Sequence, residues 1–569
     1  MAFKGKDNKM VQSGNYLGNI GRTKVKNIWD FRSTFSAGYL FPIYAREIYP
    51  SMNDKIDCGE LLRSITPLGP TMDNAFLDIF FFFVPSRLLW DHWEEFIAGY
   101  NKEAWAQDVE YTVPQIIFKN KKYVEASHDE NAYIHSFLDY LPQACDVYKL
   151  QYLQYKAYEL DNATETPTTV GTDRMNKIVS ISALYPRAYC KIWNDWFRDE
   201  NLQDELELYT GDNDEYADEF AFNLLKPSDL PKAAKLHNRF TSALPAPVKG
   251  PDVLIPMSNM PVQPLGGNLQ LTVGSTNFSA FKIANNAPLY FEDGASSSES
   301  GVVKATNLYA NNVSNTIRML RLATQTELLL ARDARGGTRY TESILSHFKV
   351  HNGDARLQRS EYLGSKSIPL NVQQVTNTAQ AGDNALGNVG GQSVTKDNSF
   401  YFSKGFSEWG IVLGIAVVRT NLSYSSGIHK QYQRKGRFDF IWPEFKHVGD
   451  VPLLKREHDI TIDFMSDVDP DAVFGYTPYG SELRTGLNYN NGLFRAHASG
   501  SLAYLTYQES YADDDSPTLS ADYIEQSTDV VSNTLISQSG PQFYALFHIE
   551  EELVIPLDPT SDPGLMDHF

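Results

Sequence analysis

Apolar and polar side chains alternate through Phe35, Ala37, Tyr39, Phe41 and Ile43, the period-two spacing of a half-buried strand, and the run stops at Pro50. Pro42 cannot donate to a ladder, so an edge position or a break is expected there. Ala75 to Val84 (AFLDIFFFFV) is almost continuously apolar, rich in aromatics and closed by Pro85. It is too short for a buried helix and predicts a strand covered on both faces. The period then changes: Leu89, Trp93, Phe96 and Ile97 share one side of a helix that Ser86 can cap and Gly99 can end. Tyr189, Trp193, Trp196 and Phe197 mark a second amphipathic helix, starting near Pro186 and trailing into Asp199, Glu200 and Asn201. Ile317 to Arg335 is a third helix candidate, stopped by Gly336 and Gly337.

Residues 251 to 316 break the pattern, with only Asp252, Lys282, Glu292, Asp293, Glu299 and Lys304 charged among Asn, Ser, Gly and Thr. After a Gln/Asn/Gly-rich loop expected over about 371 to 398, strand patterns return at 409 to 424, 437 to 442 (RFDFIW), 459 to 464 (DITIDF) and 543 to 557. No repeat of solenoid or propeller period is present. Strands at both ends, with helices and long loops between them, describe a mainly β chain: a β-sandwich with expanded connections and a few helices.

Composition sharpens this. Phe, Tyr and Trp make up 13% of the 569 residues, which favours sheets and extensive subunit contact. The longest apolar runs, Ile411 to Val418 and Ile79 to Val84, are far shorter than the roughly 20 residues that span a bilayer, so no membrane insertion is expected. The first twenty residues hold no apolar stretch of the secretory kind. Cys58, Cys145 and Cys190 stand too far apart for a metal knuckle or an obvious disulfide frame, which fits a reducing compartment.

The net charge of −20 argues against a protein that coats nucleic acid with its whole surface, but the charge is unevenly placed. Residues 1 to 32 carry Lys4, Lys6, Lys9, Arg22, Lys24, Lys26 and Arg32 against Asp7 and Asp30, leaving +5 there and −25 on the remainder. A basic, Gly/Asn-rich arm on an acidic body reads as a flexible polyanion-binding tail; an ordinary solvated terminus is the plainer alternative.

Catalytic motifs do not appear. There is no phosphate-binding GxxxxGK loop, no GxSxG and no HExxH, and Gly387, Gly390 and Gly391 read as turn glycines. Asp467, Asp469 and Asp471 begin like a calcium loop, but Ala472 stands where that loop needs Gly and Pro478 where it needs Glu, so an acidic turn is expected. Glu94 and Glu95, or Glu550 to Glu552, would serve a glycosidase only if folding set two of them across a cleft. The one constellation with a physical argument is Lys430, Arg434, Lys435 and Arg437, beside His429 and interleaved with Tyr432 and Phe438. Cations hold backbone phosphate while aromatic faces stack unpaired bases, which suits single-stranded nucleic acid. The same residues suit a strand edge with snorkelling cations and core aromatics. From the residues alone both readings stay open.

Several long words then align with one family: MDNAFLDIFFFFVPSRLLWDHW (72 to 93), LYPRAYCKIWNDWFRDENLQ (184 to 203), TSALPAPVKGP (241 to 251), ARDARGGTRYTESILSHFKV (331 to 350), DARLQRSEYLG (354 to 364) and PGLMDHF (563 to 569). In order and content they resemble the major capsid protein of the gokushovirus-like Microviridae, small phages with circular single-stranded DNA. The resemblance implies a structural protein rather than an enzyme, and a viral eight-stranded jelly-roll β-sandwich with long inserted loops. It further implies a homo-oligomeric icosahedral shell around the genome, found in the virion and assembled in the host cytoplasm with other virion proteins. The family's long insertion follows the SALPxPxKGP-like word, here Ser242 to Pro251, and forms protrusions at the three-fold axes, where a bacterial host surface would be met. No cofactor or metal is implied. A soluble β-sandwich enzyme or lectin acting on polysaccharide is the alternative. The expected organisation is a basic arm (1–32), first strands (33–85), inserted helices and loops (86–250), a surface insertion (251–316), and a helix, loops, the remaining strands and a C-terminal tail (317–569).

Overall fold

The computed structural model describes residues 22–98, 111–117, 137, 141, 180–250 and 317–557, apart from 218, 225–229, 338, 352, 355–357, 377–388, 461–470, 510, 512–516 and 538–539. Between 251 and 316 it describes the backbone of seven short strands. Eight strands carry the fold: β1 (Thr23–Phe35), β2 (Phe41–Ile48), β3 (Asn53–Ser64), β4 (Ala75–Pro85), β5 (Glu361–Pro369), β6 (Val389–Gly405), β7 (Gly410–Thr420) and β8 (Phe543–Ile555). One sheet runs β1-β8-β3-β6, with the short strand Val372–Thr376 added beyond β6, and the other runs β5-β4-β7-β2. All neighbours are antiparallel. The first strand pairs with the eighth, the second with the seventh, the third with the sixth and the fourth with the fifth. That is one long ribbon wrapped into a two-layer jelly roll.

Rings fill the space between the layers. Phe41 of β2 packs on Phe35 (3.9 Å between centroids) and Phe547 of the other sheet, and Phe81 of β4 meets Tyr401 and Phe402 of β6 at 5.0 and 5.6 Å. The opposite face of β4 is covered too, since Phe80 and Phe82 pack against Trp196 and Phe197. This explains why the run is apolar at consecutive positions instead of alternate ones. Pro42 sits on β2, an edge strand, where the register against β7 shifts between Gly414 and Ile415, so its missing N–H falls at an irregularity. Two helices flank the sandwich: α1 (Trp93–Ala98) and α2 (Leu184–Ile192), the second continuing as one wide turn through Trp193–Phe197. Arg187 on α2 is fully buried, its guanidinium bound to Glu215 at 2.7 Å and to the carbonyls of Leu89 and Gly211. Cys58 and Cys190 are buried free thiols, and Cys145 lies outside the described residues.

Several expectations need correction. The flexible arm expected over 1–32 does not extend past Arg22, because Thr23 onward is β1, paired residue for residue with β8. The expected loop 371–398 contains two strand segments, and Gly390 and Gly391 are strand residues, not turn glycines. A Cβ on Gly391 would come within 2.7 Å of the Gly69 carbonyl, so glycine is needed there for close approach of another backbone. Gly387 lies outside the described residues. Ser86 does not cap a continuous helix; Ser86–Leu88 is a single 3-10 turn, and α1 begins only at Trp93. Trp90 and Asp91 between them are drawn to Asp212 and the Thr210 carbonyl. RFDFIW is not a strand, since Arg437–Asp439 forms a 3-10 turn; of DITIDF, Asp459 and Ile460 are not in a strand and the rest lies outside the described residues.

The chain divides into two compact units. One comprises Met1–Pro245, Arg339–Leu345 and Lys349–Phe569 and holds the jelly roll. The other comprises Ala246–Thr338 and Ser346–Phe348 and holds the helix α3 (Ile317–Gly336). It also holds short antiparallel pairs: Leu271–Val273 with Thr276–Phe278 and with Lys304–Ala305, Phe281–Lys282 with Tyr290–Phe291, and Val262–Pro264 with Leu308–Ala310.

Candidate nucleic-acid interface

A second, smaller core forms where the connection between β7 and β8, carrying Leu453, Phe474, Tyr523 and Ile524, packs on Phe240, which precedes β5 in the chain. His458 lies at its centre, edge-on to Phe240 at 4.8 Å and with Nε2 2.9 Å from the Tyr523 hydroxyl. Burial, reinforced by Lys235, pushes this imidazole down to about 3, so it is neutral and packs as an aromatic ring. The chain crosses this core closely at Gly427, where a Cβ would stand 2.1 Å from the Glu457 carbonyl oxygen. The crossing is stitched by Ile428 N–H to Arg456 O and Ile460 N–H to Ser426 O, each 2.9 Å. Beneath it lie two ion pairs, the buried Arg239 with Glu457 (2.7 Å) and the partly buried Arg434 with Glu482 (3.2 Å), and Arg239 Nε also donates to Ser481 Oγ. Such pairs fix geometry more than they add stability.

Above this base the chain makes three 3-10 turns, Lys430–Tyr432, Arg437–Asp439 and Pro443–His447, with no buried side chain in any of them. The Asp439 carboxylate accepts the N–H groups of Lys435 (2.8 Å) and Gly436 (2.7 Å), which holds it below the usual carboxylate range. This local cap competes successfully with a ladder and is why RFDFIW turns instead of extending. Phe438 and Phe440 consequently point to solvent, 73% and 52% exposed, as does Tyr432 at 77%. Arg437 stands 5.1 Å from the Trp442 ring, whose indole N–H donates to the Arg437 carbonyl. Among the described residues, Lys430, Lys435 and Arg437 have no carboxylate within 4 Å. Arg434 differs from them: it is spent on Glu482 and also lies over Phe440 at 5.6 Å.

The other basic candidates are placed elsewhere. Arg22 donates to Ser51 Oγ, Lys24 pairs with Glu552 at 2.9 Å and Lys26 with Glu550 at 2.7 Å. Strand alternation explains the arrangement: on β8, Glu550 and Glu552 face outward to the β1 lysines, while Glu551 faces inward and is held by Arg46. That also removes the Glu550 to Glu552 run as a glycosidase pair. Lys4, Lys6 and Lys9 lie outside the described residues, as do Asp467 and Asp469; Asp471 pairs with Arg456 at 2.8 Å. Sequence reading missed Tyr489 and Arg495, which the parallel pairing of Ser423–Tyr424 with Asn488–Tyr489 brings beside His429. The only local signal was the turn-forming Asn488 to Gly492 run between Arg484 and Arg495.

The family model "Capsid protein (F protein)" matches residues 15–164 and 161–565. The chain belongs to this capsid protein family. It is 32% identical to capsid protein VP1 of Bdellovibrio phage phiMH2K, with 96% of each chain covered. It is 30% identical to capsid protein VP1 of Chlamydia phage 1 over 96% of each chain, and 30% identical to that of Spiroplasma virus 4 over 97% of this chain and 96% of the relative. The resemblance read from the sequence is borne out, and so is its jelly roll. The protein is a major capsid protein, a structural component of the virion whose copies build the shell. Ile28, Met72, Leu322 and Phe438 are among the large apolar side chains exposed on the single chain.

Proposed function

We propose that this capsid protein closes into the smallest icosahedral shell around a single-stranded DNA genome, assembling in the host cytoplasm, with the surface around residues 429–442 turned toward the DNA. One observation carries the reading: among the described residues Lys430, Lys435 and Arg437 have no carboxylate within 4 Å and stand among exposed Tyr432, Phe438 and Phe440, on a chain of net charge −20. Phosphate is the counter-charge such a face lacks, and unpaired bases are flat partners for its rings. Lys4, Lys6 and Lys9 are assigned to the same role, while Arg434, Lys24 and Lys26 are already held by carboxylates. Phosphate contacts position the strand without reading its sequence.

Residues 251–316 are assigned to an outward projection that meets the bacterial surface, and other virion proteins complete the particle. Acetylation of intact particles tests the DNA-facing assignment. Lys430 and Lys435 should react in empty shells and be protected in DNA-filled ones. Equal reactivity in both would overturn it.

A further inference from the structure

Beside the basic face is a cleft of about 700 Å³ whose walls include His429, Tyr432, Tyr489, Asn491 and Arg495, with Glu457 and Glu482 at its floor. The volume suits a small organic ligand. Tyr432 and Tyr489 are 77% and 50% exposed, and their ring contacts among the described residues are edge-on approaches to His429, at 6.5 and 6.2 Å with interplanar angles of 73° and 78°. Both tyrosines therefore keep a face free for a flat partner. His429 Nδ1 accepts the Gln431 N–H, which leaves Nε2 as the protonated nitrogen of the neutral ring. Burial, with Arg239 nearby, keeps the ring neutral by lowering its affinity for a proton.

Arg495 supplies charge. Its Nη2 donates to Asn491 Oδ1 at 3.2 Å, and no carboxylate lies within 4 Å of it among the described residues. The acidic floor does not cancel this, because the Glu457 and Glu482 side chains are only 1% and 3% exposed and are paired with Arg239 and Arg434. Glu482 Oε2 retains an unmatched acceptor, and Arg239 Nη2 and Arg434 Nε each an unmatched donor. Each carboxylate already has an arginine as counter-charge, so the floor offers a cation no net negative charge, and a neutral sugar would leave Arg495 without a counter-charge. A nucleotide supplies both a flat base and a phosphate.

We infer that this cleft takes one unpaired base of the bound strand, stacked on Tyr432 and Tyr489, with an adjoining phosphate on Arg495. The inference rests on the single-stranded DNA reading of the neighbouring basic face. It adds an anchor: beside the open basic face, one nucleotide per subunit is seated in a defined cleft.

The test uses the full-length protein and a thymidine oligonucleotide carrying one 2-aminopurine. Binding should quench the fluorophore. Tyr489→Ala and Tyr432→Ala should each abolish the quench and weaken binding roughly tenfold, while Tyr489→Phe retains it and the salt dependence of binding stays unchanged. Both tyrosines are exposed, so the variants leave the core intact; unmodified protein crosslinked to an oligonucleotide bearing 5-iodouracil offers a second route, with adducts expected on Tyr432, Tyr489 or His429. Unaltered quenching in both alanine variants, or crosslinks confined to residues outside the cleft, would overturn the cleft while sparing the basic face. Salt-independent binding by the unmodified protein would overturn the basic face itself. Displacement of the oligonucleotide's base by a neutral oligosaccharide, with the strand still bound, would reassign the cleft to sugar.

Discussion

Asp54 and Glu551 share the hydroxyl of Tyr44 inside the sandwich: it donates to Glu551 Oε1 and stands 3.2 Å from Asp54 Oδ2. Glu551 is fully buried and held by both arms of Arg46, at 2.8 and 2.5 Å. A hydroxyl has one proton to give, so Asp54 completes the set by keeping its own and donating to the Tyr44 oxygen. Burial, with Glu551 nearby, pushes Asp54 up to about 7.

A stability change with pH follows. The folded chain keeps the Asp54 proton up to about pH 7, whereas the unfolded chain releases it near its ordinary value of 3.8. Between those values the folded state binds more protons. The contribution of Asp54 is thus complete below about pH 4, declines as pH rises through about 7 and is then lost, at up to about 1.4 kcal/mol per pH unit. Glu60, buried with Tyr401 donating to it and also pushed to about 7, acts with the same sign. Asp54→Asn retains a donor and should flatten part of this slope. Melting temperatures of wild type and variant from pH 4 to 8 decide it; parallel curves would refute the assignment.

Arg187 offers a sharper stability test. Replacing it by Met would leave Glu215 and the carbonyls of Leu89 and Gly211 without their shared donor, inside a site where the arginine side chain is fully buried. Breaking such a pair costs about 3–5 kcal/mol. Arg187→Lys should recover little, because an ammonium cannot reproduce the guanidinium fork. Urea unfolding of the soluble subunit is the measurement, and a loss below about 1 kcal/mol for the Met variant would contradict the packing described.

Much of the jelly roll was legible because its strands are simple in pattern. AFLDIFFFFV and GIVLGIAVVRT are buried on both faces, and FYALFHIEEELVI alternates, so each announces itself without tertiary information. β1 was obscured because its outward positions are Lys24, Lys26, Asp30 and Arg32. The partners of Lys24, Lys26 and Asp30, namely Glu552, Glu550 and His548, lie more than 500 residues away in sequence, so the cations read as a free arm. RFDFIW failed for a local reason: its period of two is genuine, but Asp439 takes the backbone N–H groups of Lys435 and Gly436. The basic cluster was visible; the cleft was not, because Tyr489 and Arg495 reach it through a parallel pairing that no spacing rule reveals.

The ion pairs divide the cations into two classes with different salt responses. Alanine at Lys430, Lys435 and Arg437 should reduce the slope of log affinity against log salt for single-stranded DNA by about 2, at roughly 0.7 per phosphate contact. Alanine at Lys24 and Lys26 should leave it unchanged, since each already has a glutamate partner. Fluorescence anisotropy across a salt series would show this. Equal effects from the two sets would mean that the β1 pairs open on binding.

The nearly uncharged stretch 251–316 belongs to the second compact unit. The short pairs there are local: Leu271–Val273 with Thr276–Phe278, Phe281–Lys282 with Tyr290–Phe291, and the outer pair Val262–Pro264 with Leu308–Ala310, which closes the stretch upon itself. None of these strands joins either jelly-roll sheet. A loop this long that pairs with itself is usually retained for what it meets and not for what it supports. Replacing residues 256–312 by a short Gly/Ser linker should therefore leave a chain that folds and forms particles, because the cost of closing a shorter flexible loop is small. Those particles should adsorb poorly to the host. Electron microscopy of the variant and an adsorption assay read the two consequences separately: missing particles would show that the stretch is needed for assembly, and unchanged adsorption would remove its proposed role at the host surface.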